Sequence, residues 1–342
     1  MKTGSLLLAL LLAASPLRAQ APASAALDTA AAHTSAVTAA EVQHAEHDAG
    51  AAAEHEACGA HDPNDIITPH ITDSRCIELP EHGWKLWKPV EHVLPQWEPF
   101  HVGGLTIDMS PTKHVVMLLI AAALCCLILI GAAVSHVRDT EEEGRPRGFA
   151  TGIEAMVLFI RQEVAIPNLG HHGEKYAPFV LSLFFFILLA NLLGLIPYGS
   201  TATGNISVTA TLAIITFIVV ELAGMRAQGL GYFSTIFYWN KDLPLIVRIP
   251  MFALMSPIEV VGKLTKPFAL AIRLFANMIA GHIVVLALIS LIFAFKSYLI
   301  GIAPGFMAVG IMLLEIFVAF LQAFIFALLA SVFIGQIREA AH

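Results

Sequence analysis

The chain reads as an all-α integral membrane protein: about five membrane-embedded helices, one interfacial amphipathic helix, and a last pair forming a long tilted hairpin. Three observations predict this. Of 342 residues, 57% are hydrophobic and only 13% charged, against roughly 25% charged in soluble domains. The mean hydropathy is +0.75. Several apolar runs also reach the ~20 residues needed to span a bilayer. The charge is uneven: residues 1–110 hold 14 Asp+Glu against 5 Lys+Arg, within an overall net charge of -7. No basic stripe of the kind nucleic acid requires is present, so the chain is not a nucleic-acid binder.

Residues 1–19 resemble a secretory signal, with Lys2 before an apolar core from Leu6 to Ala14 and a cleavage site at Leu17-Arg18-Ala19. The run is short for an uncleaved spanning helix. Residues 20–100 read as an acidic, His-containing, largely disordered exported extension; its Ala-rich part, Gln20 to about Gly59, has no apolar periodicity to offset ordering entropy. His44, His47, His55, Cys58 and His61 match no specific metal-ligand spacing and read as part of a solvated tail. No metal or cofactor is expected. Cys58 and Cys76 are both exported and available for a disulfide, whereas Cys125 and Cys126 lie in an apolar run and read as packing residues.

The membrane domain is placed at residues 101–342. Val115 to Val134 is its first span. Ile153, Met156, Val157, Ile160 and Val164 then recur at helical spacing opposite Glu154, Arg161, Gln162 and Glu163, an amphipathic segment lying on the membrane surface and stopped by Pro167. Ala177 to Ile196 and Ile206 to Gly224 are further spans, with Gly199, Ser200 and Gly204 in the turn between them. Pro244 to Phe295 is too long for one crossing and is interrupted by Pro250, Pro257 and Pro267. Pro304 to Ile334, at 1.5 Å per residue, is roughly 46 Å long and must tilt or extend beyond the ~30 Å hydrocarbon core. Arg138, Arg145, Arg147, Arg161 and Lys175 fall in one set of connections with Arg226, Lys241 and Arg248, while the Pro197 to Asn205 turn carries no cation. The positive-inside rule puts the N-terminus outside and the C-terminus, with Arg338, in the cytoplasm.

Polar residues inside the spans carry the functional signal. Arg273 has apolar sequence on both sides, and Lys266 is two helical turns away. A charge at that depth costs ~2.5 to over 10 kcal/mol and marks function by default. In an antiparallel hairpin turning near residues 297–299, facing positions have a constant sum. His282 with Glu315, and Arg273 with Gln322, share nearly the same sum, so one register brings both pairs together within a turn. Arg273 still lacks a carboxylate on its own chain, which points to an anion on a partner. Glu259, Lys263 and Lys266 precede Arg273, and His282 and Glu315 follow it. Titratable groups thus flank one permanently protonated barrier on both sides. Glu221, near the end of its span, reads as reaching water.

The run Lys266-Pro267-Phe268-Ala269-Leu270-Ala271-Ile272-Arg273-Leu274-Phe275-Ala276-Asn277-Met278-Ile279-Ala280-Gly281-His282 closely resembles the signature of subunit a in the membrane (Fo) sector of bacterial F-type ATP synthase. Leu321-Gln322-Ala323-Phe324-Ile325-Phe326 and Asn191-Leu192-Leu193-Gly194-Leu195-Ile196-Pro197 are similar to other segments of that family, and the resemblance covers about residues 110 to 338. It implies a stator in the bacterial inner membrane that serves a rotating c-subunit ring through two half-channels, beside the b-subunit peripheral stalk and the rest of the complex. No bond chemistry falls on this chain. By the same resemblance Arg273 is the essential arginine and Gln322 its neighbour. Asn277 is a channel residue, His282 and Glu315 are an outer half-channel pair, and Glu259 belongs to the cytoplasmic exit. Asn191, Asn205 and Ser207 are further channel candidates. Gly194 and Ala269 depart from an aspartate and a serine found in other members. The competing reading is a stand-alone secondary transporter with a midplane arginine, but such proteins often carry an internal repeat, and no convincing one is found. An intramembrane hydrolase using His282 and Glu315 lacks a nucleophile motif.

Overall fold

The computed structural model describes residues 71–80, 89–97, 100–102, 105–143, 148–170, 173–196, 199–232, 244–295 and 298–339. They fall into two compact units divided between Val116 and Met117. The expectations for the signal at residues 1–19, for His44, His47, His55 and His61, and for Cys58 lie outside the described residues. Cys76, only 5% exposed, is disulfide-bonded. Cys125 and Cys126 are free.

The smaller unit contains β1 (Cys76–Pro80), β2 (Pro89–Val93), β3 (Phe100–Val102) and β4 (Leu105–Ile107). β1 pairs antiparallel with β2, Cys76 opposite Val93, and β3 with β4. Strands therefore occupy part of the stretch that the sequence reading treated as largely disordered. Neither Cys76-Ile77-Glu78-Leu79 nor Val90-Glu91-His92-Val93 alternates strictly between apolar and polar residues, so periodicity gave no clear strand signal. Side chains lock the unit: Arg75 Nη2 donates to Asp108 Oδ2 at 2.7 Å, and Asp108 Oδ1 accepts from the Ser110 amide at 2.9 Å. The His114 ring, 2% exposed, sits with Nδ1 2.7 Å from Asp73 Oδ1.

The helical unit holds five helices long and apolar enough to cross a membrane. They lie within α1 (Lys113–Glu143), α4 (Ala177–Gly194), α5 (Ile206–Gln228), α6 (Leu245–Phe295) and α7 (Tyr298–Glu339), after the shorter α2 (Phe149–Phe159) and α3 (Ile166–Leu169). The amphipathic segment is α2, a π-helical turn over Ile160–Ala165, and α3. Pro167 does not stop it. The proline sits in the first turn of α3, where a missing N–H is tolerated, and the chain turns at Gly170 with φ +67°. The wider π turn lets the Ile166 amide reach Arg161 O, and Asn168 Nδ2 donates to Val164 O at 2.7 Å.

α6 is one continuous helix of 51 residues through Pro250, Pro257 and Pro267, where the sequence predicts interruption. Each proline removes a single backbone donor; in a membrane helix, neighbouring helices and local adjustment re-satisfy the freed carbonyl. At 1.5 Å per residue α6 is roughly 77 Å long and α7, with 42 residues, roughly 63 Å. Both outrun the hydrocarbon core and must tilt or extend past it. α7 is the central packing element, touching α3, α4, α5 and α6. Its core face, Ala319, Ala323, Phe326, Ala327, Ala330 and Ile334, is fully buried. Phe320 meets Phe184 of α4 edge-to-face at 5.7 Å, and Phe324 stacks on Phe159 at 6.3 Å.

Burial alone would raise the Asp73 carboxyl, but its contacts with His114 and Thr112 outweigh this and hold it below the usual carboxylate range. A depressed folded-state value means that the contribution is present above the unfolded pKa of about 3.9 and is lost as pH falls through the folded value. Amide exchange at Leu94 and Lys113, which donate to Arg75 O and Ser74 O, should accelerate as pH drops below about 4, beyond the intrinsic chemical trend. Asp73→Asn should give the same loss of protection at neutral pH, and unchanged protection in that variant would refute the latch.

Candidate functional site

α6 and α7 run antiparallel, and their register is the one deduced from position sums. Asn277 Nδ2 donates to Gln322 Oε1 at 3.0 Å. Four positions on, Gly281 faces Glu315: a Cβ at 281 would lie 2.9 Å from Oε1 and 3.0 Å from Cδ. Glycine is therefore what lets the carboxyl group lie flat against α6. Gln322 and Glu315 are buried, at 2% and 4% exposed. Gln322 Nε2 and Glu315 Oε1 have no hydrogen bond among the described residues. His282, one residue beyond Gly281, is half-buried.

One detail of the deduced pairing changes. Gln322 bonds Asn277, not Arg273. The register is right to within a turn, but Arg273 sits on the exposed face of α6 while Gln322 points inward. Among the described residues Arg273 has neither a hydrogen bond nor an ion pair. Its stripe along α6 runs Ala269, Ile272, Arg273, Ala276, Asn277, Ala280 and Val284, all exposed. On α7, Leu313, Phe317 and Leu321 are exposed at 64%, 61% and 41%. A single guanidinium thus stands, with the Asn277 amide, on a surface otherwise made of small and apolar side chains.

Asn191, fully buried on α4, accepts from Thr203 Oγ1 at 2.7 Å and donates to Ala319 O of α7 at 3.3 Å. It ties three segments together. Asn205 is the N-cap of α5, accepting from the Ser207 amide at 2.9 Å, so local helix chemistry accounts for it. Ser207 is exposed. At Gly194 any Cβ would lie 2.3 Å from Thr201 Oγ1. The space a side chain at 194 would need is therefore taken by a threonine hydroxyl that bonds Gly194 O at 3.3 Å. Glu259 and Ala269 are exposed on α6.

The sequence reading missed a second cluster. Glu221 keeps some exposure, as expected, with its side chain 18% exposed, but it also accepts from the hydroxyl of Tyr232, itself 2% exposed. Lys263 Nζ donates to that hydroxyl at 2.8 Å, lies 3.9 Å from Glu221 Oε1, and sits 4.3 Å over the tyrosine ring. The available signal was a glutamate near the end of one span and a lysine inside the next; the tyrosine that joins them could not be found by spacing.

The fold and site together define a class: a multi-pass helical membrane protein whose final hairpin carries one outward arginine above a buried amide–carboxyl row. The sequence pattern of the ATP synthase A chain family matches residues 115–335. The chain is 46% identical over 277 residues to ATP synthase subunit a of Chloroherpeton thalassium, covering 81% of this chain and 78% of that one. It is 44% identical over 303 residues to ATP synthase subunit a 2 of Chlorobaculum tepidum (88% and 79%), and 40% over 301 residues to ATP synthase subunit a of Anaeromyxobacter dehalogenans (85% and 74%). The chain belongs to the family of subunit a of F-type ATP synthase.

Thr203→Val removes the donor to Asn191 while keeping the volume. It should destabilise the subunit by about 1–3 kcal/mol, the usual penalty for orphaning a buried polar atom. Unfolding in mixed micelles measures this. The double variant Thr203→Val, Asn191→Leu should lose less than the two single losses combined; strict additivity would show that the two side chains are not coupled.

Proposed function

We propose that this chain is the membrane stator through which protons reach and leave a rotating ring of c subunits, with Arg273 separating two half-channels. The observation that carries this reading is the exposed guanidinium of Arg273 on an apolar helix face, unpaired among the described residues. A cation placed so in a bilayer needs an anion from outside the chain. Ala269, Ala276 and Ala280 around it let a partner helix approach closely. The partner class is a small membrane helix bearing one carboxylate, the c subunit. The b-subunit stalk and the catalytic head complete the assembly, in the inner membrane of a bacterium. The N-terminus lies outside and the C-terminus in the cytoplasm.

In this mechanism a proton enters from outside by way of Glu315 and His282 and neutralises a ring carboxylate, which then turns into the lipid. After a revolution the carboxyl group arrives from the other side. Arg273 draws it into an ion pair as it gives its proton up toward Glu259 and the cytoplasm. Asn277 and Gln322 hold each other beside the guanidinium and keep the path there polar without a second charge. A proton moving straight from one half-channel to the other would have to pass a fixed cation. At an effective dielectric constant near 20 and about 4 Å, that repulsion is about 4 kcal/mol, close to a thousandfold in rate.

Arg273→Ala should abolish respiration-driven ATP synthesis in inverted membrane vesicles, to below about 1% of the normal rate (a barrier change of ~3 kcal/mol or more). The assembled complex and its ATPase head should remain on the membrane. Synthesis at the normal rate would reduce Arg273 to a structural charge and end the two-channel reading.

A further inference from the structure

The Glu221–Tyr232–Lys263 cluster is not used by the mechanism above, yet it adjoins a cavity of about 220 Å³ between the C-terminal end of α5, the first half of α6 and the C-terminal end of α7. Its polar wall is Glu221, Gln228, Glu259, Lys263, Lys266 and Gln336. The volume is well above the roughly 10–15 Å³ that one water requires on the same measure. It extends to Leu270, three residues and ~4.5 Å along the helix from Arg273. A space large enough for water, lined by both polar and apolar side chains, therefore reaches a residue one turn short of Arg273.

Tyr232 holds the cluster in place. Its ring lies against bare backbone: a Cβ at Gly224 would sit 2.8 Å from the ring. Its hydroxyl donates to Glu221 and accepts from Lys263 at the same time. Lys263 is further fixed over the ring, while Lys266 is drawn aside over Phe333 at 4.9 Å. Glu221 is thus a carboxylate held in one orientation, on a wall of the cavity, with a second carboxylate, Glu259, lining the same space. A tie serving only to fasten the chain after α5 would not need a titratable acid facing water.

We propose that Glu221 is a proton-relay residue on the wall of this cavity, positioned by Tyr232 and Lys263. Its carboxylate takes a proton from a cavity hydronium, leaving water and a neutral carboxyl group. It then returns that proton to a second water nearer the helix ends. Tyr232 keeps its hydroxyl proton and Lys263 its ammonium throughout, so the step balances as proton in, proton out. This rests on the reading of Arg273 as the barrier between half-channels and extends the cytoplasmic path beyond Glu259.

The test is passive proton conduction by the head-stripped complex in proteoliposomes under a potassium–valinomycin potential. Rates are expressed per assembled complex, counted by the c subunits that copurify. Glu221→Gln keeps the size and the acceptor for Tyr232 but cannot carry the proton, and should lower conduction at least fivefold. Glu221→Asp should recover half or more of the rate. Tyr232→Phe keeps the ring under Lys263 and should lower the rate two- to fivefold by releasing the carboxylate. Normal conduction by Glu221→Gln overturns the relay, as do equal losses with Gln and Asp, which would mark packing rather than proton transfer. If Glu221→Gln does not assemble, Tyr232→Phe decides, and a normal rate there overturns the proposal. Arg273→Ala vesicles run in parallel separate the two ideas. Normal synthesis in them sinks the barrier reading itself, whereas lost synthesis beside normal Glu221→Gln conduction sinks only the relay.

Discussion

A charge in hydrocarbon must be neutralised, hydrated or enclosed, and the helical unit is arranged around that requirement at Arg273. The α6–α7 hairpin carries the polar groups that cannot face lipid: Gln322 and Glu315 are turned inward and buried, and Asn277 spends its amide hydrogen on Gln322. On this stretch of α6 the guanidinium is exposed without a partner among the described residues, whereas the exposed Asn277 has one. For this division to persist, α7 must not rotate, because a turn of about 100° would carry Glu315 into lipid. The packing of α7 against α3, α4, α5 and α6 meets that demand. Its alanines at 319, 323, 327 and 330, all fully buried, allow the close approach that takes the place of a hydrophobic driving force in lipid.

Two glycines show how finely the polar positions are accommodated. Gly281 is open on the side where the Glu315 carboxyl lies, and Gly194 is open where Thr201 lies. In both cases the missing Cβ makes room for an oxygen, one on a carboxyl group and one on a hydroxyl. Asn191 does related work deeper in the bundle. It joins α4, α7 and the turn over Ala202–Gly204 through two hydrogen bonds in a region otherwise filled by phenylalanine and leucine. Where hydrophobic faces are interchangeable, such directional bonds select one rotation of each helix over the others.

The spans were legible because apolar length is a one-dimensional property: the runs at 177–196 and 206–224 lie within two and four residues of the helix ends in the structure. The hairpin register was legible for a similar reason, since antiparallel geometry converts sequence position into depth. Which face a residue occupies was not. Arg273 and Asn277 are one turn apart, and only packing determines that Asn277 reaches Gln322 while Arg273 does not. Proline misled in three places in α6 and again at Pro167. The rule that it breaks helices comes from water, where a rival conformation is well solvated; inside a bilayer the rival leaves more backbone groups unpaired. The strands at residues 76–107 were hidden by composition, because short runs mixing polar and apolar residues without a period look like a solvated tail until their partners are known.

Tyr232 marks the limit of such reading. Nothing in its neighbourhood in sequence distinguishes it, and an aromatic near the end of a membrane helix ordinarily marks the interface. Its place instead follows from three separate features: a glycine at 224 that clears its ring, a carboxylate at 221 and a lysine at 263. Each feature alone has an ordinary reading, as a packing glycine, a charge at a helix end and a snorkelling lysine. Together they overdetermine the position of one carboxyl group beside a space large enough for water. The lysine and glutamate are largely buried, at 15% and 18% exposed, so desolvation offsets much of the attraction between them. The lysine and tyrosine side chains also give up conformational freedom, so stability alone is a weak reason for the arrangement. Holding a proton acceptor at a set distance from moving water is a stronger one.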